Sequence, residues 1–231
     1  ELKLATVCQS AHCPNMAECW SGGTATFMLM GDTCTRACRF CNVKHGKPNA
    51  LDPLEPQNLA EAIGRMGVDY AVITSVDRDD LPDGGSTHFA ACIKHLRTTY
   101  PEVRVEVLTP DFQGKKEDVA RVVNSGVHVY SHNIETVKRL HKGIRDRRAN
   151  YEQSLQVLRM AKEINPHVYT KSAIIAGFDE TYEEVIEAMQ DLRAINVDFL
   201  TIGQYLRPSK WNVPVSEYVP LERYKQWEEA G

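Results

Sequence analysis

Six short apolar runs rich in β-branched and aromatic residues, at 26–30, 69–74, 103–108, 126–131, 168–175 and 197–203, alternate with amphipathic stretches at 57–66, 86–99, 115–124, 135–141, 150–164 and 181–194. Repeated strand-then-helix order has few solutions. Each helix must cross back so that the next strand enters parallel, and right-handed crossovers add the strands to one sheet. The last stretch carries the plainest start signal, Glu180-Thr181 ahead of an apolar stripe of Val185, Ile186, Met189 and Leu192. Such a sheet can coil into a barrel, although six repeats fall short of the eight that close a standard one. With 231 residues, 42% hydrophobic and 25% charged, the chain has material for one large α/β domain. No internal repeat, low-complexity tract or clear linker divides it, and Pro48 to Pro56 reads as a connection into the first barrel helix.

Charge and cysteine usage narrow the function. A net charge of −4 argues against a nucleic-acid scaffold, which normally carries a strongly basic face. No apolar run is long enough to span a bilayer and Glu1-Leu2-Lys3-Leu4 has no signal-peptide core, so a soluble, cytoplasmic protein is expected, with no membrane partner. The cysteine count of seven is odd and six of them fall within the first 41 residues, a density that metal explains better than disulfides.

Cys34, Cys38 and Cys41 follow the first apolar run with spacing C-x3-C-x2-C. Thiolates hold iron–sulfur clusters, and three of them leave one iron of a [4Fe–4S] cube open to a small molecule. The alternative is a structural zinc ion with His45 as fourth ligand, although such sites favour paired C-x2-C knuckles. A second set, Cys8, Cys13 and Cys19, has spacing C-x4-C-x5-C. Zinc completed by His12 is the alternative there, awkward because His12 adjoins Cys13.

Parallel α/β folds place their sites at the carboxyl ends of strands. After the second run comes the acidic loop Ser75 to Gly85, either a site loop or a solvated turn capping the next helix; its spacing does not fit a calcium loop. After the fourth run, Asn133 and Glu135 can bind the hydroxyls of a ribose, or instead cap a helix. Lys171, charged within an apolar run, needs an anionic partner if it faces a barrel lumen; otherwise it belongs at an edge. Cys92, on the apolar face of a helix, reads as core.

The stretch from Thr6-Val7-Cys8 through Cys19-Trp20-Ser21-Gly22-Gly23 to Cys34, Cys38 and Cys41 resembles lipoyl synthases, members of the radical S-adenosylmethionine (SAM) superfamily. The resemblance runs on through Thr74 to Gly85, His132 to Thr136, Thr170-Lys171-Ser172 and Gly203 to Ser209, nearly the whole chain. It implies a partial (β/α)6 TIM-like barrel over 26–231, open on one side to a large substrate, with residues 1–25 as a cysteine-rich extension. It further implies two [4Fe–4S] clusters. The Cys34, Cys38, Cys41 cluster cleaves SAM, with Phe40 the aromatic residue before the last cysteine. The Cys8, Cys13, Cys19 cluster donates sulfur. The resemblance also assigns Arg145 to the SAM carboxylate, with Arg147 and Arg148 as rivals of surface character, and adds Asn133, Glu135 and Lys171 as cofactor-binding candidates. The implied reaction inserts two sulfur atoms, at C6 and C8, into an octanoyl group on a lipoyl carrier domain, with a ferredoxin or flavodoxin as electron donor. Other radical SAM sulfur insertions, or a non-catalytic protein carrying two clusters or stabilised by zinc, are the alternatives. The family's C-terminal Arg-Ser-Ser motif, whose serine closes the auxiliary cluster, is absent, so the natural protein is expected to continue past Gly231. Asp179 stands where the family usually has glycine, and Lys210-Trp211-Asn212 replaces a histidine-containing stretch, two marks of a divergent member.

Overall fold

The computed structural model describes residues 5–6 and 16–231. Its main sheet has seven strands: β1 (Ala5–Thr6), β2 (Thr24–Leu29), β5 (Tyr70–Ser75), β6 (Arg104–Leu108), β7 (Val129–Ser131), β8 (Tyr169–Ala176) and β9 (Phe199–Gln204), hydrogen-bonded in that order. β1 runs antiparallel to β2, and β2, β5, β6, β7, β8 and β9 are parallel to one another, one strand for each of the six apolar runs. Sequential order without a reversal is the pattern of a barrel wall rather than of a doubly wound sheet. The helices Glu55–Met66, Ser86–Thr99, Lys116–Val123 and Tyr151–Ile164 pack in succession against one another along the outside.

Alternation along the strands decides what each face does. Phe27, Leu29, Ala71, Ile73, Val105 and Val107 point outward and are buried with Leu59, Ile63, Phe89, Ile93, Val119 and Val122 of the helices in one core. Truncating Ile93 to alanine there costs about 2–5 kcal/mol in lost transfer energy and cavity. The opposite face, with Thr26, Met28, Thr74, Glu106, Leu108, Ser131 and Lys171, looks into the lumen and is far more polar. Thr181 caps the helix Tyr182–Ala194 in a reciprocal capping box with Glu184, as its start signal promised.

One expected helix is displaced. The stretch 135–141 does not begin a helix: Glu135 adopts φ 67 and bridges to Ile174, its N–H donating to the Ala173 carbonyl at 3.0 Å while its own carbonyl accepts from Ile175 at 2.8 Å. The backbone there extends the sheet instead, and a single helical turn forms later, at His141–Ile144. The helix-cap reading of Asn133 and Glu135 falls with it. Ala5–Thr6 joins the barrel sheet as an edge strand, the helix Met16–Ser21 follows within the expected N-terminal extension, and β2 begins at Thr24, just before the expected barrel boundary.

Candidate active site

At the carboxyl ends of the strands lies a cavity of about 710 Å3. It is lined by Cys34, Phe40, Asp77, Asn133, Glu135 and Arg145 among others, and bottomed by Thr26, Met28, Thr74 and Leu108. The cysteine loop leaves β2 and is framed by a short parallel ladder, β3 (Thr33–Cys34) on β4 (Lys44–His45), in which Cys34 stands opposite His45.

Backbone N–H groups converge on every sulfur of the loop. Cys34 Sγ is met by the N–H of Arg36 at 3.4 Å and of Asp77 at 3.3 Å, Cys38 Sγ by that of Asp146 at 3.3 Å, and Cys41 Sγ by that of Val43 at 3.4 Å. Such donors favour thiolate and the added negative charge of a metal-bound sulfur. Burial works the other way: it pushes the Cys34 thiol up to about 12, helped by the Asp77 carboxylate, and the Cys41 thiol up to about 11. Three half-buried thiolates therefore call for a cation. Among the described residues the one trio whose ligand atoms all lie within 4.8 Å of one another is Glu55, His88 and Cys92, so the three loop sulfurs are spread wider than that, with or without His45. A cubane, which takes each sulfur on a different iron, suits such a spread better than a single zinc ion with bonds of about 2.3 Å.

Glu55, His88 and Cys92 have another task. Both Glu55 oxygens accept the N–H of Met30, at 3.0 and 3.1 Å, and Oε2 also meets His88 Nε2 at 2.6 Å. This holds Met30 in its left-handed conformation, φ 66, where β2 turns toward the cysteine loop. Cys92 is fully buried beside them, the core residue its helical position suggested.

The acidic loop after β5 is a clamp on the cysteine loop. Arg36, almost fully buried, forks onto Asp79 (2.9 and 2.9 Å) and onto Asp111 (2.7 and 2.8 Å), and its Nε lies 3.3 Å from Asp77. Burial alone would raise Asp111, but the Arg36 guanidinium outweighs it and holds the carboxyl at about 2. Asp77 goes the other way, up to about 6, because burial exceeds what Arg36 returns.

Arg145 donates to the Asn133 carbonyl at 3.0 Å and to Ser154 Oγ at 3.3 Å, while its Nε is buried with no partner. An unpaired guanidinium donor on a cavity wall suits a carboxylate ligand. Glu135, hydrogen-bonded to Asn133, is raised by burial against the pull of Arg145. His132 Nδ1 donates to the Thr109 carbonyl at 2.8 Å and Nε2 accepts from Ser154 Oγ at 3.0 Å; burial, then the charge of Arg145, lowers it to about 4, so the ring is neutral. The far wall is a strap. Asn212 donates to the carbonyls of Arg39 (3.2 Å) and Cys41 (2.9 Å), and Trp211 stands exposed at the rim.

The sequence-derived candidates sort unevenly. Cys34, Cys38, Cys41, Phe40, Asn133, Glu135 and Arg145 share the cavity. Lys171 does not line it; its Nζ meets Glu106 Oε1 at 2.9 Å inside the lumen, the anionic partner that such a position required. Cys8 and Cys13 lie outside the described residues. Cys19 is exposed on the helix Met16–Ser21, which leads into β2 at the end opposite the cavity. Arg36, Asp111 and His132 were not singled out individually from sequence, Asp77 and Asp79 were read only as part of the acidic loop, and Arg148 only as a surface rival of Arg145. Position just after a strand was the available signal for Asp77, Asp111 and His132, and placement between two cysteines for Arg36.

Comparison with known proteins agrees with this geometry. Residues 28–192 match the family model of the radical SAM superfamily. The chain is 57% identical to a lipoyl synthase of Anaeromyxobacter sp. (strain Fw109-5), over all of this chain and 78% of that protein. It is 56% identical to the lipoyl synthase of Thermus thermophilus, covering 72% of it, and to the apicoplast lipoyl synthase of Plasmodium knowlesi, covering 52%, in both cases over all of this chain. The chain spans 52–63% of the length of several curated eukaryotic relatives that it matches. In fold it resembles a crystal structure of methylornithine synthase, with TM-score 0.70, 11% identity and coverage of 94% of this chain and 69% of the other.

Proposed function

Because the chain belongs to the lipoyl synthase family of the radical SAM superfamily, we propose that it inserts sulfur at C6 and C8 of an octanoyl group carried on a lipoyl domain. The observation that carries this reading is the convergence, on one cavity, of three cysteine sulfurs met by backbone N–H groups and an arginine with an unpaired donor. Cys34, Cys38 and Cys41 are the residues to hold a [4Fe–4S] cluster, which with bound SAM supplies a radical able to abstract hydrogen from an unactivated carbon.

The chain's own residues bind, orient and shield. Arg145 offers its guanidinium to the SAM carboxylate, Asn133 and Glu135 accept from the ribose hydroxyls, and Phe40 packs beside the loop. The Asn212 strap limits water at the reacting carbon. Cys8, Cys13 and Cys19 form the second ligand set, for the sulfur-donating cluster. Of that set Cys19 is described, on the helix that precedes β2, while Cys34 follows β2. A ferredoxin or flavodoxin serves as electron donor, and the protein works in the cytoplasm. Among the described residues no helix is long and apolar enough to cross a membrane.

The test is anaerobic turnover with an octanoylated carrier peptide, SAM and a reductant, read by mass spectrometry. The reconstituted protein is expected to hold about eight irons with matching sulfide. Cys34→Ala should form no 5′-deoxyadenosine, while Cys19→Ala should still cleave SAM but add no sulfur. Stoichiometric zinc with little labile sulfide, or no SAM cleavage by iron-replete protein, would overturn the reading.

A further inference from the structure

Segment 144–148 grips the cysteine loop from the far side of the cavity. The Ile144 carbonyl accepts from Arg39 N at 2.8 Å, Asp146 N donates to Cys38 Sγ at 3.3 Å, and Asp146 Oδ2 accepts from Ala37 N at 2.9 Å. Arg148 fixes this arrangement. Its Nε lies 2.8 Å from Asp146 Oδ1 and its Nη2 3.1 Å from Oδ2, a fork that holds the Asp146 carboxyl well below the usual carboxylate range. The same Nη2 donates to the Thr35 carbonyl at 2.6 Å, and Nη1 lies 3.3 Å from Asp79, which Arg36 also grips. One side chain thus ties together the residue that donates to the Cys38 sulfur and the segment whose Arg36 N–H donates to the Cys34 sulfur. Arg148 is 43% exposed, in keeping with its surface character, yet its guanidinium nitrogens are committed to four contacts within one loop system.

We propose that Arg148 is a positioning residue for the SAM-cleaving cluster: it keeps the N–H groups of Asp146 and Arg36 aimed at the Cys38 and Cys34 sulfurs and so sets how easily that cluster accepts an electron. Hydrogen bonds to cluster sulfurs stabilise the extra negative charge of the reduced state, so their loss makes the potential more negative. The inference rests on the three cysteines holding a cluster, and goes beyond it by giving Arg148 a task that no sulfur ligand performs.

The experiment uses the full chain, reconstituted anaerobically, with the reduced SAM-site cluster quantified by its electron paramagnetic resonance signal against applied potential. Iron, sulfide and signal in the parent protein test for the cluster itself; the variants test only Arg148. Arg148→Met should keep its iron and show roughly a tenfold lower ratio of reduced to oxidised cluster at a given potential, about 59 mV for a one-electron couple. Arg148→Lys keeps the charge but cannot fork onto Asp146 while reaching Thr35, and should show most of the same shift. A parent-like potential in both variants overturns the proposal. So does a parent-like potential in Arg148→Lys alone, which would show that charge, not positioning, is what counts. If Arg148→Met fails to hold iron, Arg148→Lys carries the test by itself, with the same two outcomes.

Discussion

At the carboxyl end of the barrel one buried guanidinium, Arg36, is shared among Asp77, Asp79 and Asp111, whereas inside the lumen one buried carboxylate, Glu106, is shared among Lys171, Tyr70 and Ser131. The lumen set closes on itself. Lys171 neutralises Glu106, and the Tyr70 hydroxyl at 2.6 Å and the Ser131 hydroxyl at 3.1 Å fill its remaining acceptor sites. The upper set does not close: three carboxylates share Arg36, with the partly exposed Arg148 reaching only Asp79, Asp77 is pushed up to about 6, and beside it stands an Arg145 with an unpaired Nε. A balanced buried set serves the fold, while an unbalanced one on a cavity wall is held in readiness for a charged ligand.

Removing the hub of each set should separate the two roles. Arg36→Leu leaves three carboxylates facing an apolar side chain and should destabilise by about 4 kcal/mol or more, read by urea unfolding, with loss of cluster binding. Lys171→Met leaves Glu106 only its two hydroxyl donors and should cost about 3 kcal/mol while sparing iron content. Equal iron loss in the two variants would erase the distinction drawn between the sets.

Acidification should sharpen it. His132 is buried neutral, lowered to about 4 from 6.5, so the folded state resists its protonation. Stability from this group is fully present above pH 6.5 and is lost as pH falls from there through 4, on the order of 3 kcal/mol when complete. His132→Gln should flatten that part of the stability curve, and an unchanged slope would remove His132 as its source. Asn212→Ala should cost about 1–2 kcal/mol, since it frees the carbonyls of Arg39 and Cys41 from the strap.

The smallest effect belongs outside both sets. Asp179 adopts φ 84, a left-handed backbone that favours glycine, so Asp179→Gly should stabilise the chain by up to about 1 kcal/mol, measured as a rise in unfolding midpoint.

The sequence by itself determined the six parallel strands, the two cysteine sets and the family, because those signals are local: alternation, capping and ligand spacing are written in neighbouring residues. It also pointed to Asn133, Glu135 and Arg145, through strand-end position and resemblance, and the fold brings all three to the wall of one cavity. Only the tertiary structure decided that Glu135 bridges β8 instead of opening a helix, that the acidic loop after β5 clamps Arg36, and that Arg148 faces the cysteine loop. Each of those outcomes joins residues far apart in the chain, with Arg36 meeting Asp111 75 positions away and Arg148 meeting Thr35 113 positions away. A run of like charges looks the same in sequence whether it is solvated or gripped. What distinguishes the two is which opposite charge the fold brings within 3 Å, and no local pattern carries that.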